Sequence, residues 1–128
     1  MVWASVFDFI KIKFPASPMG NVYTDKEFEQ IMEEAQEKKI TVLIDEAYYY
    51  FHPKTFIHYA LEREHIFVTR TFSKLFSMAG CRLGYVVGWE EGVKTVQKLC
   101  TPHNTNAFAM KFLFSSEQQW FGHLSLTL

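Results

Sequence analysis

Lys74 and Arg82 are the residues of this sequence whose types and positions most directly suggest chemistry. Lys74 follows Thr71 and Ser73 in the stretch TFSK, and Arg82 follows a turn at Gly80 and Cys81. A lysine at a strand end beside partly buried groups can lose its proton and act as a nucleophile. A guanidinium with two nearby hydroxyls makes a seat for a phosphate. Because most lysines and arginines are solvated surface residues, that ordinary role stays open for both cations.

Asp45 and Tyr48 form a second polar group, directly after a short apolar run. Asp45 ends the segment TVLID, and Tyr48 lies three residues further along, about one helical turn on. A carboxylate held in a low dielectric can keep a heterocyclic nitrogen protonated, and the Tyr48 hydroxyl could face the same ligand. A helix cap or a turn carboxylate is the ordinary alternative for Asp45.

Alternation and helical spacing predict the elements that must position these side chains. The predicted strands are 8–14, 41–45, 65–70 and 82–89, and the predicted helices are 23–39, 56–64, 90–100 and a stretch from about Asn106. Thr24 and Glu27 have the spacing of a capping box and mark the start of the first helix. This order of elements predicts an α/β fold with a mostly parallel sheet and covering helices.

The polar groups all follow predicted strands. The loop PASPMG comes after the first strand, the segment 45–48 after the second, and the segment 71–74 after the third. The carboxyl ends of parallel strands meet at one edge of a sheet, and ligands bind beyond that edge. The sequence therefore predicts that the three groups contact one ligand.

The composition limits the possible partners and surroundings. The chain has 128 residues, is 48% hydrophobic and carries a formal net charge of −1, which favours a folded domain and argues against nucleic-acid binding. No apolar run reaches the ~20 residues of a membrane span, and no signal peptide is recognised. Cys81 and Cys100 are most simply reduced thiols, which favours a cytoplasmic protein.

Two other kinds of site are considered and set aside. A metal site built from His52, His58, His65 and Glu46 fits no known ligand spacing, so no metal is predicted. The stretch DEAY superficially resembles the acidic motif of nucleotide hydrolases, but the phosphate-binding GxxxxGK[ST] loop that such enzymes need is not in the sequence.

Three motifs of the sequence resemble those of the fold-type-I pyridoxal-phosphate enzymes, the aminotransferase class I/II superfamily. They read DEAY at 45–48, RTFSK at 70–74 and AGCRLGY at 79–85. The pattern is most similar to that of histidinol-phosphate aminotransferases, and the eight-residue step from Lys74 to Arg82 matches as well. The resemblance covers about residues 11–112. It implies that 1–128 is a single partial domain, a piece of the large domain of such an enzyme.

The resemblance implies that pyridoxal 5′-phosphate is the cofactor and assigns three residues to its ring. Lys74 would bind the cofactor covalently and later move the α-proton of the substrate. Asp45 would pair with the ring nitrogen, which makes the ring an electron sink. Tyr48 would donate a hydrogen bond to the phenolic oxygen of the ring.

The resemblance also assigns residues to the cofactor's other groups. Thr71, Ser73 and Arg82 would hold its phosphate. Ser17 stands where the family has an asparagine that contacts the phenolic oxygen, and Met19 stands where threonine is usual. A serine reaches less far than an asparagine, so the contact at Ser17 departs from the family pattern.

The implied activity is transfer of an amino group from an amino-acid or amino-phosphate donor to a 2-oxo acid, in amino-acid biosynthesis. The complete enzyme is expected to be a cytoplasmic homodimer. The ends 1–7 and 115–128 are expected to be irregular. The alternative is a truncated or degenerate chain that catalyses nothing and binds at most a cofactor or a partner. The aromatic content of 17% favours this alternative, because it suggests surface that is normally covered.

Overall fold

The fold is seen in a computed structural model, which describes residues 9–16, 20, 22–52, 54–74, 79–100 and 106–111. The predicted cofactor residue Ser17, its neighbour Met19, and the ends 1–7 and 115–128 lie outside the described residues.

Strands and helices alternate along the described part of the chain. The strands are β1 (Phe9–Lys13), β2 (Thr41–Asp45), β3 (Ile66–Thr71) and β4 (Gly84–Gly88), and the helices are α1 (Asp25–Glu37), α2 (Ile57–Glu62) and α3 (Glu90–Leu99). Short 3₁₀ turns occur at Tyr49–Phe51 and Ala79–Cys81, and residues 107–111 are helical. The predicted strands and helices are confirmed, with ends that differ by a residue or two. Among these helices, none has the length and apolar character needed to cross a membrane.

Helix α1 begins at the capping box that the sequence predicted. The Glu27 amide donates to the Thr24 hydroxyl at 3.3 Å, and the Thr24 amide donates to the Glu27 carboxylate at 2.9 Å. These two bonds satisfy backbone donors that the first turn of a helix leaves unpaired. One face of the helix then buries Phe28, Met32 and Ala35 against the sheet.

The four strands form one sheet in the order β1-β2-β3-β4. β1, β2 and β3 run parallel, with Lys13 opposite Asp45 and Asp45 opposite Thr69, whereas β4 runs antiparallel to β3. The prediction of a mostly parallel sheet is therefore confirmed. β4 adds an antiparallel edge because it returns beside β3 through the 3₁₀ turn at Ala79–Cys81, and antiparallel neighbours need no crossover helix.

One face of the sheet and the helices α1 and α2 enclose the main core. The sheet contributes Ile12, Phe14, Val42, Ile44, Ile66 and Val68, and the helical layer contributes Phe28, Met32, Ala35, Phe56 and Ala60. The rings of Phe28 and Phe56 stack with centroids 3.6 Å apart, and Phe14 meets Phe56 edge-on at 4.7 Å. Aromatic contacts of this kind contribute beyond the area that they bury.

The other face of the sheet is only partly covered. Side chains that are half-buried or exposed there include Lys11, Leu43, Asp45, Thr69 and Val86. At one end of this face, the Phe67 ring packs closely against Gly88 and Gly92. A Cβ atom added to Gly88 would lie 2.6 Å from the ring, and one added to Gly92 would lie 2.7 Å from it. A side chain at Gly88 or Gly92 would therefore have to displace the Phe67 ring that β4 and α3 cover. The carboxyl ends of β1 and β2 lie at the opposite end of the face, and the side chains there are polar.

Candidate active site

A cavity of about 200 Å³ lies at the carboxyl ends of the parallel strands. Among the residues that the structure describes, those that line it are Lys13, Pro15, Asp45, Ala47, Tyr48 and Lys74. The sequence predicted three of them, Asp45, Tyr48 and Lys74, as contacts of one ligand. The shared edge of the sheet explains the result, because β2 and β3 end side by side although their residues are far apart in the sequence.

Asp45 closes β2 with both carboxylate oxygens engaged. Oδ1 accepts a hydrogen bond from the Ala47 amide at 3.1 Å, and Oδ2 lies 2.8 Å from Lys11 Nζ. The bond to Ala47 is the turn contact that the sequence left open as the ordinary alternative. The side chain is 19% exposed, so this carboxylate serves the turn and still faces the cavity.

Lys74 and Tyr48 meet across the cavity. Lys74 Nζ lies 5.3 Å from the centroid of the Tyr48 ring, within the range of a cation–π contact. The Lys74 side chain is exposed to solvent, and Tyr48 is half-buried. The Lys74 amine therefore lies next to the Tyr48 ring, and Asp45 lines the same cavity.

The predicted phosphate residues Thr71, Ser73 and Arg82 are not among the residues that line the cavity. The Ser73 amide donates to Thr71 Oγ1 at 3.1 Å, and the two hydroxyl oxygens are 2.9 Å apart, so Thr71 and Ser73 form a compact turn after β3. Arg82 has φ of 52°, in the left-handed region, and its guanidinium donates to the Ala79 carbonyl over a long 3.5 Å. The hydroxyls of Thr71 and Ser73 therefore lie together, while the Arg82 side chain contacts the turn that contains Ala79.

The model for one protein family, Aminotransferase class I and II, matches residues 5–116 of this sequence. The chain belongs to the class I and II aminotransferase family. This agrees with the resemblance carried by the motifs DEAY, RTFSK and AGCRLGY. The matched residues include the whole described sheet and the polar residues at its edge.

Individual relatives of this aminotransferase chain are similar over most of its length. The histidinol-phosphate aminotransferase of Thermotoga neapolitana is 35% identical over 105 residues, which are 82% of this chain and 30% of the relative. The aspartate aminotransferase of Sulfurisphaera tokodaii is 37% identical over 108 residues, 80% of this chain and 27% of the relative. The chain thus spans about 30% of the length of the curated relatives that it matches.

A solved structure has the same arrangement of elements. The histidinol-phosphate aminotransferase from Clostridium acetobutylicum superposes with a TM-score of 0.73 and 29% sequence identity, covering 81% of this chain and 32% of that one. The similarity includes most of the described strands and helices, so the fold of this chain corresponds to part of an aminotransferase domain.

A buried ion pair behind the cavity is a feature of this aminotransferase chain that the sequence prediction missed. Glu46 is 1% exposed and Arg70 is 8% exposed. Arg70 Nη2 and Nε lie 2.8 and 2.9 Å from Glu46 Oε2, and the Phe56 amide donates to Glu46 Oε1 at 2.6 Å. Arg70 Nη2 also donates to the Thr55 hydroxyl at 2.7 Å. The pair therefore joins the end of β2, the end of β3 and the start of α2.

Two aromatic residues complete the surroundings of Arg70. The guanidinium lies 3.5 Å from the centroid of the Tyr49 ring, and its Nη1 donates to the Tyr85 hydroxyl over 3.4 Å. Burial acts to lower the pKa of Arg70, but Tyr85 and Glu46 outweigh it and raise that pKa above its usual value. Arg70 stays charged, and the tyrosine of the AGCRLGY motif supports the ion pair in this structure.

The sequence does carry a signal for this pair. Glu46 continues the buried alternation of Val42 and Ile44, and Arg70 continues that of Ile66 and Val68. Opposite charges that end two buried alternations on neighbouring parallel strands are expected to meet. Reading the alternation of β2 one residue further, to Glu46, and that of β3 to Arg70 would have predicted the contact.

The described residues offer no alternative metal centre. No group of three histidine, cysteine, aspartate or glutamate side chains within them is arranged to hold a metal ion. His65, one of the histidines considered in the sequence, instead buries its Nε2 atom without a hydrogen-bond partner. Burial lowers the pKa of His65, and its hydrogen bond with the Met32 backbone acts in the opposite direction.

Proposed function

We propose that this chain is the cofactor-binding part of a pyridoxal-phosphate-dependent aminotransferase. The reaction would move an amino group from an amino-acid or amino-phosphate donor to a 2-oxo acid. The observation that carries the proposal is the joint lining of one cavity by Asp45, Tyr48 and Lys74, in a chain that belongs to the aminotransferase family. The partial coverage of the relatives makes the activity of the whole protein part of this proposal.

The groups around the cavity fit the chemistry of pyridoxal phosphate. An amine suits its aldehyde, a carboxylate suits its ring nitrogen, and a phenol suits its phenolic oxygen, and these are the side-chain groups of Lys74, Asp45 and Tyr48. The neighbouring hydroxyls of Thr71 and Ser73 can donate hydrogen bonds to a phosphate. Arg82 is assigned to the same phosphate through the family motif, and Ser17 to the phenolic oxygen.

Three side chains of this chain then have defined tasks. Bound pyridoxal phosphate supplies an electron sink for the substrate α-carbon. The amine of Lys74 would act as the base that takes a proton from that carbon and as the acid that gives it back. The Asp45 carboxylate would hold a proton on the ring nitrogen, and the Tyr48 hydroxyl would donate a hydrogen bond to the phenolic oxygen. The cation–π contact with Tyr48 limits where the Lys74 amine can lie.

The names of the relatives support a substrate class. Histidinol-phosphate aminotransferases and an aspartate aminotransferase share this part of the chain at 31–38% identity. Amino donors that carry an anionic group, a phosphate or a carboxylate, are therefore the first to test. We also propose, from the family, that the complete protein works in the cytoplasm as a homodimer. The exposed aromatic residues Phe9, Phe51 and Phe108 support an interface of this kind.

Covalent trapping tests the proposed amine. The purified chain, checked for folding by circular dichroism, is incubated with pyridoxal phosphate, reduced with borohydride and mapped by peptide mass spectrometry. We expect modification of Lys74 and its loss in Lys74→Ala. Lys13 lines the same cavity, so Lys13→Ala is the matched control and should keep the modification. Labelling that maps to Lys13, or that persists in Lys74→Ala, contradicts the proposal.

A second measurement separates aminotransfer from cofactor binding alone. Histidinol phosphate and aspartate are added in turn to the loaded chain, and pyridoxamine phosphate and the released oxo product are quantified. We expect equal amounts of the two products with at least one donor. Modification of Lys74 with no transfer from either donor would instead identify a cofactor-binding module without catalysis.

A further inference from the structure

Lys11 forms an ion pair with the carboxylate that is proposed to face the cofactor ring. Its Nζ atom lies 2.8 Å from Asp45 Oδ2, and the two side chains are 47% and 19% exposed. Asp45 Oδ1 already accepts a hydrogen bond from the Ala47 amide. The carboxylate is therefore held from two sides, by the turn that follows β2 and by a cation on β1.

The strand register explains why this pair forms. Lys13 is the partner of Asp45 in the parallel pairing of β1 and β2, and Lys11 lies two residues earlier on the same face. Two residues along a strand cover about 6.6 Å, a distance that an extended lysine side chain can reach. Ile10 and Ile12 of β1 point toward the core, so Lys11 and Lys13 lie on the opposite face, together with Asp45.

We propose that Lys11 is a positioning residue that weakens the hold of Asp45 on a protonated ring nitrogen. The inference rests on the proposed function. A cation at 2.8 Å occupies lone pairs of Oδ2 and offsets the charge that favours a proton on a nearby nitrogen. Lys11 therefore lowers the preference of the site for a cofactor ring that contains this nitrogen over a ring of the same shape that has a C–H group in its place.

The effect of Lys11 is separable from that of the neighbouring cations. Lys13 has the same charge on the same strand face and lines the cavity. The ion pair with Asp45, however, is made by Lys11. Lys13→Met therefore removes a charge of the same type while it leaves the ion pair, and Lys11→Arg keeps the cation while it changes the side chain.

The test compares pyridoxal phosphate with its deaza analogue, in which C–H replaces the ring nitrogen. Borohydride-trapped adduct at Lys74 is quantified against ligand concentration for wild type, Lys11→Met, Lys11→Arg and Lys13→Met. We expect Lys11→Met to increase the preference for pyridoxal phosphate over the analogue about tenfold, the scale of one pKa step. Lys11→Arg and Lys13→Met should stay within about twofold of wild type, which is a small fraction of that step.

A cofactor-free measurement accompanies the binding test. The carbon-13 resonance of the Asp45 carboxyl should move in Lys11→Met and stay in place in Lys13→Met. If the Asp45 resonance or the binding preference is the same in wild type and Lys11→Met, the proposed role of Lys11 is contradicted. The proposed function of the chain is not affected by that result. A wild-type chain that forms no adduct at Lys74 contradicts the proposed function itself, and the role of Lys11 in that function with it.

Discussion

Neighbouring acidic residues in the DEAY motif have opposite surroundings. Asp45 faces the open side of the sheet, where Lys11 and the cavity meet it, while Glu46 faces the core and pairs with Arg70. Alternation along an extended chain separates the two carboxylates although they are adjacent in sequence. A residue of the motif can therefore line the site, as the partly exposed Asp45 does, or stabilise the fold beneath it, as the buried Glu46 does.

At the residue scale, Arg70→Met should be severely destabilising. It leaves the Glu46 carboxylate buried without its cation, which typically costs about 3–5 kcal/mol. Urea unfolding followed by circular dichroism measures the loss. Glu46→Met/Arg70→Met removes both charges and should recover part of the stability, because the unpaired buried charge is gone although the Phe56 amide loses its acceptor.

Lys94→Met is the matched control for this prediction. Lys94 pairs with Glu90 at 2.8 Å on the exposed side of α3. Exposed pairs contribute little because water screens them, so this variant should unfold close to the wild-type midpoint. An Arg70→Met midpoint as close to wild type as that of Lys94→Met would contradict the structural role given to the buried pair.

At the element scale, the antiparallel edge strand depends on a close backbone approach. Gly84, the first residue of β4, pairs with Thr71 at the last residue of β3. A Cβ atom at Gly84 would lie 2.7 Å from the Arg70 carbonyl oxygen. That oxygen belongs to the backbone of β3, so it cannot move aside as a flexible side chain could. The glycine of AGCRLGY is thus required by the strand pairing, independently of any cofactor.

Gly84→Ala tests this requirement. We expect it to destabilise the chain by about 1–3 kcal/mol, the usual cost of an overpacked contact. Gly80→Ala is the control within the same motif, because a Cβ atom there meets no atom within 4 Å. Chemical unfolding of both variants measures the difference, and equal stabilities would show that β4 does not approach β3 as described.

Helix α1 offers a prediction at the same scale. Thr24→Ala removes the hydroxyl that accepts from the Glu27 amide and should cost about 1 kcal/mol of unfolding free energy. Thr24→Ser keeps a hydroxyl at the cap and should retain most of that stability. Thermal unfolding of the two variants checks the difference, and a Thr24→Ser variant no more stable than Thr24→Ala would contradict the cap.

At the scale of the whole molecule, stability should fall as the pH drops below about 6.5, the ordinary histidine pKa. Burial lowers the pKa of His65 in the folded chain, so the unfolded chain binds more protons in this range. The unfolding free energy therefore declines from about pH 6.5 down through the lowered folded-state value. Urea unfolding across this range measures the decline.

His65→Leu should flatten this pH dependence between about pH 7 and 5.5, because it removes the group that titrates differently in the folded and unfolded chains. His58→Gln is the matched control on α2 and should keep the wild-type slope. A slope that is unchanged in His65→Leu would assign the acid sensitivity to other groups.

Sequence patterns alone determined the local elements and indicated the candidate site residues. The capping box, the buried alternations and the motifs DEAY and RTFSK are short-range signals, so they were sufficient to predict the helices, the strands and a shared edge for Asp45, Tyr48 and Lys74. The sequence could indicate the shared edge because the carboxyl ends of parallel strands lie at the same edge of a sheet, however far apart the strands are in the sequence.

Only the tertiary structure decided which distant residues meet. The antiparallel direction of β4 follows from how it pairs with β3, and the contact of Lys11 with Asp45 follows from the register of β1 against β2. Register is set by packing across the sheet, and a shift of one residue would reverse which side chains face the core. The residue types that could hold a cofactor were therefore readable in the sequence, whereas the charges around them required the assembled sheet.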